Sequence, residues 1–211
     1  LEQYSRPRAN GINAITIKDD DELLEAKLTT GNSQILLAVK SGKAIRFEED
    51  KTRPMGRNAS GVRGITLNGA NDELVGMVSV SDPETEILVV SENGYGKRSS
   101  LDDYRTTNRG GKGVKTLSIT EKTGELVSIK NVSDLDDLMI INKSGIAIRM
   151  DVADLRVMGR ATQGVKLINL KGSDTIAAVA KVMKDDEEIP EVTDGEDQPA
   201  KDLNTEENNN Q

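Results

Sequence analysis

The stretch Arg105–Lys115, RTTNRGGKGVK, belongs to a set of four similar stretches that decide the fold of this chain. The others are QYSRPRANGIN from Gln3, RPMGRNASGVR from Arg53 and RVMGRATQGVK from Arg156. Each carries a glycine followed by a β-branched residue, at successive spacings of 50, 52 and 51 residues: Gly11-Ile12, Gly61-Val62, Gly113-Val114 and Gly164-Val165. A period of about fifty residues is typical of one blade in a propeller-like array.

Strand-like sequence follows each of these glycines. Eleven or twelve residues later come ELLEAKL from Glu22, ELVGMVSV from Glu73, ELVSIKNV from Glu125 and TIAAVAKV from Thr175. Three units continue with a short apolar run, a glycine turn and an arginine four residues past that glycine. Short apolar runs bounded by glycine and asparagine turns indicate hairpin strands, and no window shows a sustained helical stripe. The sequence therefore predicts an all-β fold, a β-pinwheel or propeller-like array of four-stranded blades.

The repeat divides the chain into two regions. Residues 1–183 are predicted to form about three complete blades and part of a fourth, because the fourth unit stops after TIAAVAKV. Radial arrays close with about four to eight blades, so we expect an incomplete disc from a longer protein, or a last blade completed by strand exchange. Residues 184–211 hold 11 acids and 2 bases and are predicted to form a disordered acidic tail. The tail serves solubility, or it competes with an anionic ligand for basic surface.

Composition excludes most catalytic chemistry. The chain has no histidine and no cysteine, which removes the commonest general base and thiolate metal sites. Four aromatic residues offer little for stacking on single-stranded bases. No phosphate-binding or dinucleotide-binding glycine loop occurs. We therefore expect a cytoplasmic protein that is not itself an enzyme, with no catalytic residues, no metal, no cofactor and no membrane contact.

Positive charge is concentrated in the four repeated stretches, residues 3–13, 53–63, 105–115 and 156–166, which we call the basic belt. Together they hold 12 basic residues and no acidic residue. Equivalent positions of a radial array lie on one rim, and arginine, lysine and glycine suit phosphate oxygens. The belt predicts backbone contacts to a bent DNA duplex, although the arginines would also suit acids of neighbouring blades. The candidate DNA contacts are Arg53, Arg57, Arg63, Arg105, Arg109, Gly110, Gly111, Lys112, Lys115, Arg156, Arg160 and Lys166.

The openings GRNASGVRGITL, NRGGKGVKTLSI and GRATQGVKLINL, and the hairpin SENGYGKR, resemble the C-terminal domain of DNA gyrase A. The resemblance implies a six-bladed β-pinwheel, of which this chain would supply roughly the last four blades. It also implies that the domain wraps double-stranded DNA around a positive rim. The parent would be a heterotetramer of two gyrase A and two gyrase B subunits, an ATP-dependent type II topoisomerase that introduces negative supercoils.

Two departures from this family bear on the site. The hallmark box of the family, Gln-Arg-Arg-Gly-Gly-Lys-Gly, belongs to the first blade, whereas Thr107–Gly113 matches five of its seven positions in a later repeat. The strand-cleaving tyrosine of the family belongs to its N-terminal region, so Tyr4, Tyr95 and Tyr104 are not assigned that role. Two alternatives stay open: the equivalent C-terminal domain of topoisomerase IV, and a propeller scaffold that binds an acidic protein.

Overall fold

Three antiparallel β-sheets make up the computed structural model, which describes residues 2–6 and 8–184. The only helices in these residues are three short 3-10 turns, Glu2–Tyr4, Glu49–Lys51 and Leu101–Asp103. The strands are β1 Gln34–Val39, β2 Lys43–Glu48, β3 Leu74–Val80, β4 Glu86–Ser91, β5 Tyr95–Ser100, β6 Val114–Lys115, β7 Leu126–Val132, β8 Asp136–Asn142, β9 Ala147–Asp151, β10 Val165–Lys166 and β11 Ile176–Met183. The predicted all-β, pinwheel-like class is confirmed.

Each sheet contains one hairpin, which is central in the two four-stranded sheets. The pairs β1–β2, β4–β5 and β8–β9 are antiparallel and are joined at Gly42, Gly94 and Gly145. These three glycines have φ values of 75°, 77° and 87°. The turn glycine is explained by this left-handed conformation, which side chains other than glycine rarely adopt.

Each sheet takes its strands from successive repeats. The first sheet has the order β3-β1-β2-β6 and the second has β10-β5-β4-β7, so each hairpin gains one strand from the next repeat and a two-residue strand from the repeat after that. The third sheet has the order β11-β8-β9. Consecutive repeats are therefore interlocked by shared sheets, whereas the periodicity alone suggests that each repeat forms its own blade.

One predicted strand is wrong. The stretch ELLEAKL at residues 22–28 is in no strand, although its equivalents form β3, β7 and β11. Those three strands each pair with the first strand of the preceding hairpin, through β1, β4 and β8. Within the described residues no hairpin precedes Glu22, so the segment lacks the partner strand that its equivalents have.

The core lies between successive sheets. One apolar cluster joins the first two sheets through residues such as Leu36, Val78, Ile87 and Ile129, all almost fully buried. A second cluster joins the second and third sheets. A third, with Ile35 and Leu37, lies on the other face of the first sheet. Alternate strand residues thus face two different clusters, as the period of a strand requires.

The first residue of the predicted tail lies within the described residues. Lys184, the first residue of the predicted tail, forms an ion pair with Asp151 at 2.5 Å. The remainder of that tail, residues 185–211, lies outside the described residues.

Nowhere in the part that the structure describes does a helix have the length and apolar character to cross a membrane.

Candidate nucleic-acid interface

The belt segments lie along the outer strands of the hairpins. The backbone N–H of Thr107 donates to the carbonyl of Arg46 at 2.9 Å, and that of Met158 donates to Arg98 at 2.8 Å. The segments then form β6, which pairs with Lys43–Ala44, and β10, which pairs with Tyr95–Gly96. Two consecutive belt segments are therefore attached in the same way to two consecutive sheets.

A glycine permits this attachment because the backbones approach closely. A Cβ built on Gly113 would lie 2.6 Å from the carbonyl oxygen of Ala44, and one on Gly164 would lie 2.4 Å from that of Gly96. Both glycines also have positive φ, 68° and 76°. Real Cβ atoms do not approach so closely, so packing explains the glycine at these two repeats. At Gly11 and Gly61 a Cβ would meet nothing within 4 Å, and the positive φ explains the glycine there.

Neighbouring belt segments are joined to one another. Three residues after the second and third segments, Thr66 N–H donates to the Gly111 carbonyl at 2.8 Å and Ser118 N–H donates to the Thr162 carbonyl at 3.1 Å. Three residues after the first segment, Thr16 N–H donates to the Ala59 carbonyl at 3.2 Å. The structure therefore brings the basic segments into one continuous series, with each segment beside the next.

The second arginine of each repeated pair connects two segments. Arg109 donates from Nε to the Lys51 carbonyl at 2.8 Å and from Nη1 to the Arg63 carbonyl at 3.0 Å. Arg160 donates to the equivalent carbonyls of Asp103 and Lys115, at 2.8 and 2.7 Å. Arg57 donates to the Asn13 carbonyl at 3.2 Å. These half-buried guanidinium groups hold the belt together, a role that the sequence did not assign to them.

The other predicted contacts with a charged side chain are exposed. Among the described residues their ammonium and guanidinium groups have no hydrogen-bond acceptor and no carboxylate partner. These groups therefore have donors available for a ligand, as phosphate binding requires. The side chains are Arg53, Arg63, Arg105, Lys112, Lys115, Arg156 and Lys166. Gly110 and Gly111 lie between them, and Gly110 N–H donates to the Gly64 carbonyl at 2.5 Å.

Among the residues that the structure describes, no acid neutralises the belt through a side-chain ion pair. All nine ion pairs among the described residues involve basic residues outside the belt, for example Lys40 with Glu73 and Arg98 with Glu86, both at 2.9 Å. Asp103 Oδ2 accepts from the backbone N–H of Arg160 at 3.3 Å, which is a contact with the main chain and not with the guanidinium group. The pairing of belt arginines with acids of neighbouring blades, considered above as an alternative, is not what the structure has.

Two basic residues beneath the belt, Arg46 and Lys97, were not predicted from the sequence as functional residues. Arg46 donates from Nη1 to the carbonyls of Leu101 and Tyr104, at 2.8 and 3.0 Å. Lys97 is fully buried under the fourth segment and donates to the Gly159 carbonyl at 2.6 Å. The signal for Lys97 is present in the repeat, because Ile45 occupies the equivalent position of the first hairpin.

Comparison with known proteins shows the family of the chain. The family model of the DNA gyrase C-terminal domain, beta-propeller, matches residues 1–30, 34–81, 85–133 and 136–183. The DNA gyrase A protein of Staphylococcus aureus strain MRSA252 is 48% identical over 189 residues, which are 89% of this chain and 21% of that protein. The chain therefore spans about a fifth of the length of the curated relatives it matches.

Two solved structures are similar in fold. The C-terminal domain of DNA topoisomerase IV aligns with a TM-score of 0.81 and 22% identity, over 86% of this chain and 57% of that one. A DNA gyrase A C-terminal domain aligns with a TM-score of 0.75 and 27% identity, over 82% of this chain and 59% of that one.

Proposed function

We propose that this chain, which belongs to the DNA gyrase C-terminal domain family of beta-propeller domains, binds duplex DNA along its basic belt. One observation carries the proposal: within the described residues, adjacent belt segments are joined while seven exposed cationic side chains have no partner in the protein. Unpaired cations in a continuous series suit the regularly spaced phosphates of a double helix.

The contacts are directed at the backbone of the DNA and not at its bases. Arg53, Arg105 and Arg156 are equivalent, exposed and one repeat apart. Arginine binds phosphate oxygens in a bidentate manner, and a glycine such as Gly111 lets a backbone N–H group come close. Contacts repeated from sheet to sheet favour a bent duplex, because each added contact offsets part of the bending energy.

We extend the proposal to a longer parent protein. In it, this domain wraps DNA for an ATP-dependent type II topoisomerase that acts in the cytoplasm and assembles with a second type of protein chain, as gyrase A does with gyrase B. The domain itself positions DNA and supplies no reacting group. The likeness to the topoisomerase IV domain concerns the fold. Introduction of negative supercoils by the parent would therefore distinguish gyrase from topoisomerase IV.

The first test is the salt dependence of duplex binding, measured by fluorescence anisotropy with a labelled duplex. The slope of log affinity against log salt should be about −0.9 for each phosphate neutralised. Removing Arg53, Arg105 and Arg156 together should make the slope less steep by about 3 units. A matched variant that removes the exposed Lys18, Lys122 and Lys171 outside the belt is the control.

The second test concerns wrapping. Nicked circles resealed by ligase in the presence of the chain should change in linking number if the duplex is wrapped, and should not change with the triple arginine variant. Binding that is the same at low and high salt would overturn the proposal. Recovery of an acidic protein in a pull-down, with no duplex bound, would instead support the scaffold alternative.

A further inference from the structure

Lys97 is a buried lysine directly beneath the fourth belt segment. Its side chain is 0% exposed, although it lies on strand β5 of the second sheet. The ammonium donates to the Gly159 carbonyl at 2.6 Å and to Thr162 Oγ1 at 3.1 Å. Thr162 Oγ1 in turn donates to the Gly159 carbonyl at 2.9 Å. A buried ammonium is unfavourable unless it is hydrogen-bonded, so these contacts require the segment to lie against Lys97.

An earlier hairpin and belt segment fill the equivalent position under the belt with uncharged residues. Lys97 corresponds to Ile45, and Thr162 corresponds to Gly111. A Cβ on Gly111 would lie 3.4 Å from Cδ1 of Ile45, which is close packing between an apolar side chain and a glycine. The repeats thus contain two matched pairs, Ile45 with Gly111 and Lys97 with Thr162, at the same place under the belt.

Two charged groups face Lys97 from the elements packed on it. Asp103, which ends the 3-10 turn after β5, raises the pKa of Lys97, and Arg160 of the belt segment lowers it. Burial is the largest influence, and it lowers the pKa of Lys97 from its ordinary value of 10.5 to about 8. Lys97 therefore loses its proton at a pH where an exposed lysine keeps it.

We propose that Lys97 is a positioning residue for DNA binding: its ammonium fixes the belt segment 156–166 through Gly159 and Thr162. The inference rests on the proposed function, because Arg156 and Lys166 of this segment are among the exposed cations assigned to phosphate. A hydrogen bond from a charged donor is roughly twice as strong as one from a neutral donor. Replacement of Lys97 by an uncharged side chain should therefore loosen the segment and weaken DNA binding.

The lowered pKa of Lys97 also fixes the sign of its effect on stability. Between pH 8 and 10.5 the unfolded chain still binds a proton at this lysine while the folded chain does not. The contribution of Lys97 to the free energy of unfolding therefore rises with pH in this window. Opening of the segment exposes Lys97 in the same way, so opening also becomes less favourable as the pH rises from 8 to 10.5.

The test compares the full chain with K97I and with the double variant K97I/T162G, which reproduces the Ile45–Gly111 pair of the preceding repeat. Amide hydrogen exchange and duplex affinity are measured at pH 7. In K97I, exchange at residues 158–164 should be about tenfold faster. Its duplex affinity should fall about 3-fold to 10-fold, with a salt slope smaller by about 1. The double variant should restore both quantities.

The pH dependence of the unaltered chain is the second measurement. The amide NMR signal of Thr162 should titrate with a midpoint near pH 8. This titration should not occur in the double variant, which has no lysine at this position. Unchanged exchange and affinity in K97I, or a Thr162 signal that does not titrate, would overturn the proposal.

The two proposals fail in different ways. If the unaltered chain binds no duplex at low salt, the proposed function is wrong, while the exchange and titration measurements still decide whether Lys97 positions the segment. If duplex binding is normal and K97I leaves the exchange at residues 158–164 unchanged, only the role of Lys97 is wrong. Should K97I fail to fold, the titration of Thr162 in the unaltered chain decides.

Discussion

At the scale of single residues, arginines have different roles according to their position in the repeat. Arg105 and Arg156 are exposed and have no partner among the described residues, whereas Arg109 and Arg160 each donate to two carbonyls of the previous repeat. Guanidinium groups suit both tasks because they present several donors in one plane. The belt is therefore assembled and charged by the same residue type.

This difference predicts a split between stability and affinity in the variants R156A and R160A. R156A should change the free energy of unfolding by less than about 0.5 kcal/mol, while its salt slope for duplex binding decreases by about 1. R160A should lower the free energy of unfolding by about 1–2 kcal/mol, because two hydrogen bonds from a charged donor are lost. Urea unfolding and anisotropy titrations measure both; equal destabilisation by the two variants would contradict the assignment.

Tyr104 supplies a pH-dependent test of the core between the first two sheets. Its ring is 1% exposed and its hydroxyl is 2.5 Å from Thr116 Oγ1. Burial, partly opposed by hydrogen bonds, raises the pKa of Tyr104 to about 12. Above pH 10 the unfolded chain ionises this phenol while the folded chain does not, so the stability that it contributes is lost as pH rises from 10 to 12.

The variant Y104F should therefore lose less stability than the unaltered chain over that range. From pH 10 to pH 12 the free energy of unfolding of the unaltered chain should fall by about 2 kcal/mol relative to that of Y104F, so that Y104F becomes the more stable protein. At pH 7, Y104F should cost about 1 kcal/mol for the lost hydrogen bond. Denaturant unfolding at each pH measures this, and a constant difference would mean that Tyr104 ionises equally in both states.

At the scale of elements, the two-residue strands β6 and β10 depend on the glycine before them. Gly61 and Gly164 are equivalent in the repeat and have φ values of 86° and 76°. A Cβ on Gly164 would meet the Gly96 carbonyl oxygen at 2.4 Å, whereas one on Gly61 has nothing within 4 Å. The pair separates backbone strain from steric contact.

We expect G61A to lower the free energy of unfolding by about 1 kcal/mol, because alanine is strained at positive φ. G164A should lower it by about 1–3 kcal/mol more, because β10 must also move away from β5. Thermal unfolding of both variants at equal concentration measures the difference. Similar melting temperatures would show that the close approach of β10 to β5 can relax.

At the scale of the whole molecule, charge is divided between the belt and the rest of the chain. The belt has 12 bases and no acid, whereas residues 184–211 carry 11 acids and 2 bases. Because this acidic segment is covalently joined to the belt, its carboxylates have a high local concentration and compete with DNA for the belt cations. We therefore expect this acidic segment to regulate access to the belt.

Removal of residues 185–211 should tighten duplex binding several-fold at low salt, and the gain should decrease as salt screens the charges. A variant of unaltered length, with the acids of this segment changed to asparagine and glutamine, should bind as tightly as the truncated form. Anisotropy at several salt concentrations measures this. Equal affinity with and without the acids would leave the segment with a role in solubility.

The repeat, the all-β class and the position of the belt were all predictable from the sequence, because each depends on residues that are close together in the chain. Apolar alternation, turn glycines and the absence of acids from four equivalent stretches are visible without a structure. The strand predicted at residues 22–28 was wrong because a strand needs a paired edge, and local sequence does not say whether one is present.

Only the tertiary structure decided how the repeats are connected and which belt cations are available. The strand β10 pairs with β5, which belongs to an earlier repeat, and the Arg160 guanidinium finds carbonyls 57 and 45 residues away in the chain. Whether a side chain is buried beneath the belt or exposed on it depends on what packs against it from distant repeats. Lys97 and Arg156 have the same charge in the sequence, and folding alone places the first within the protein and the second in solvent.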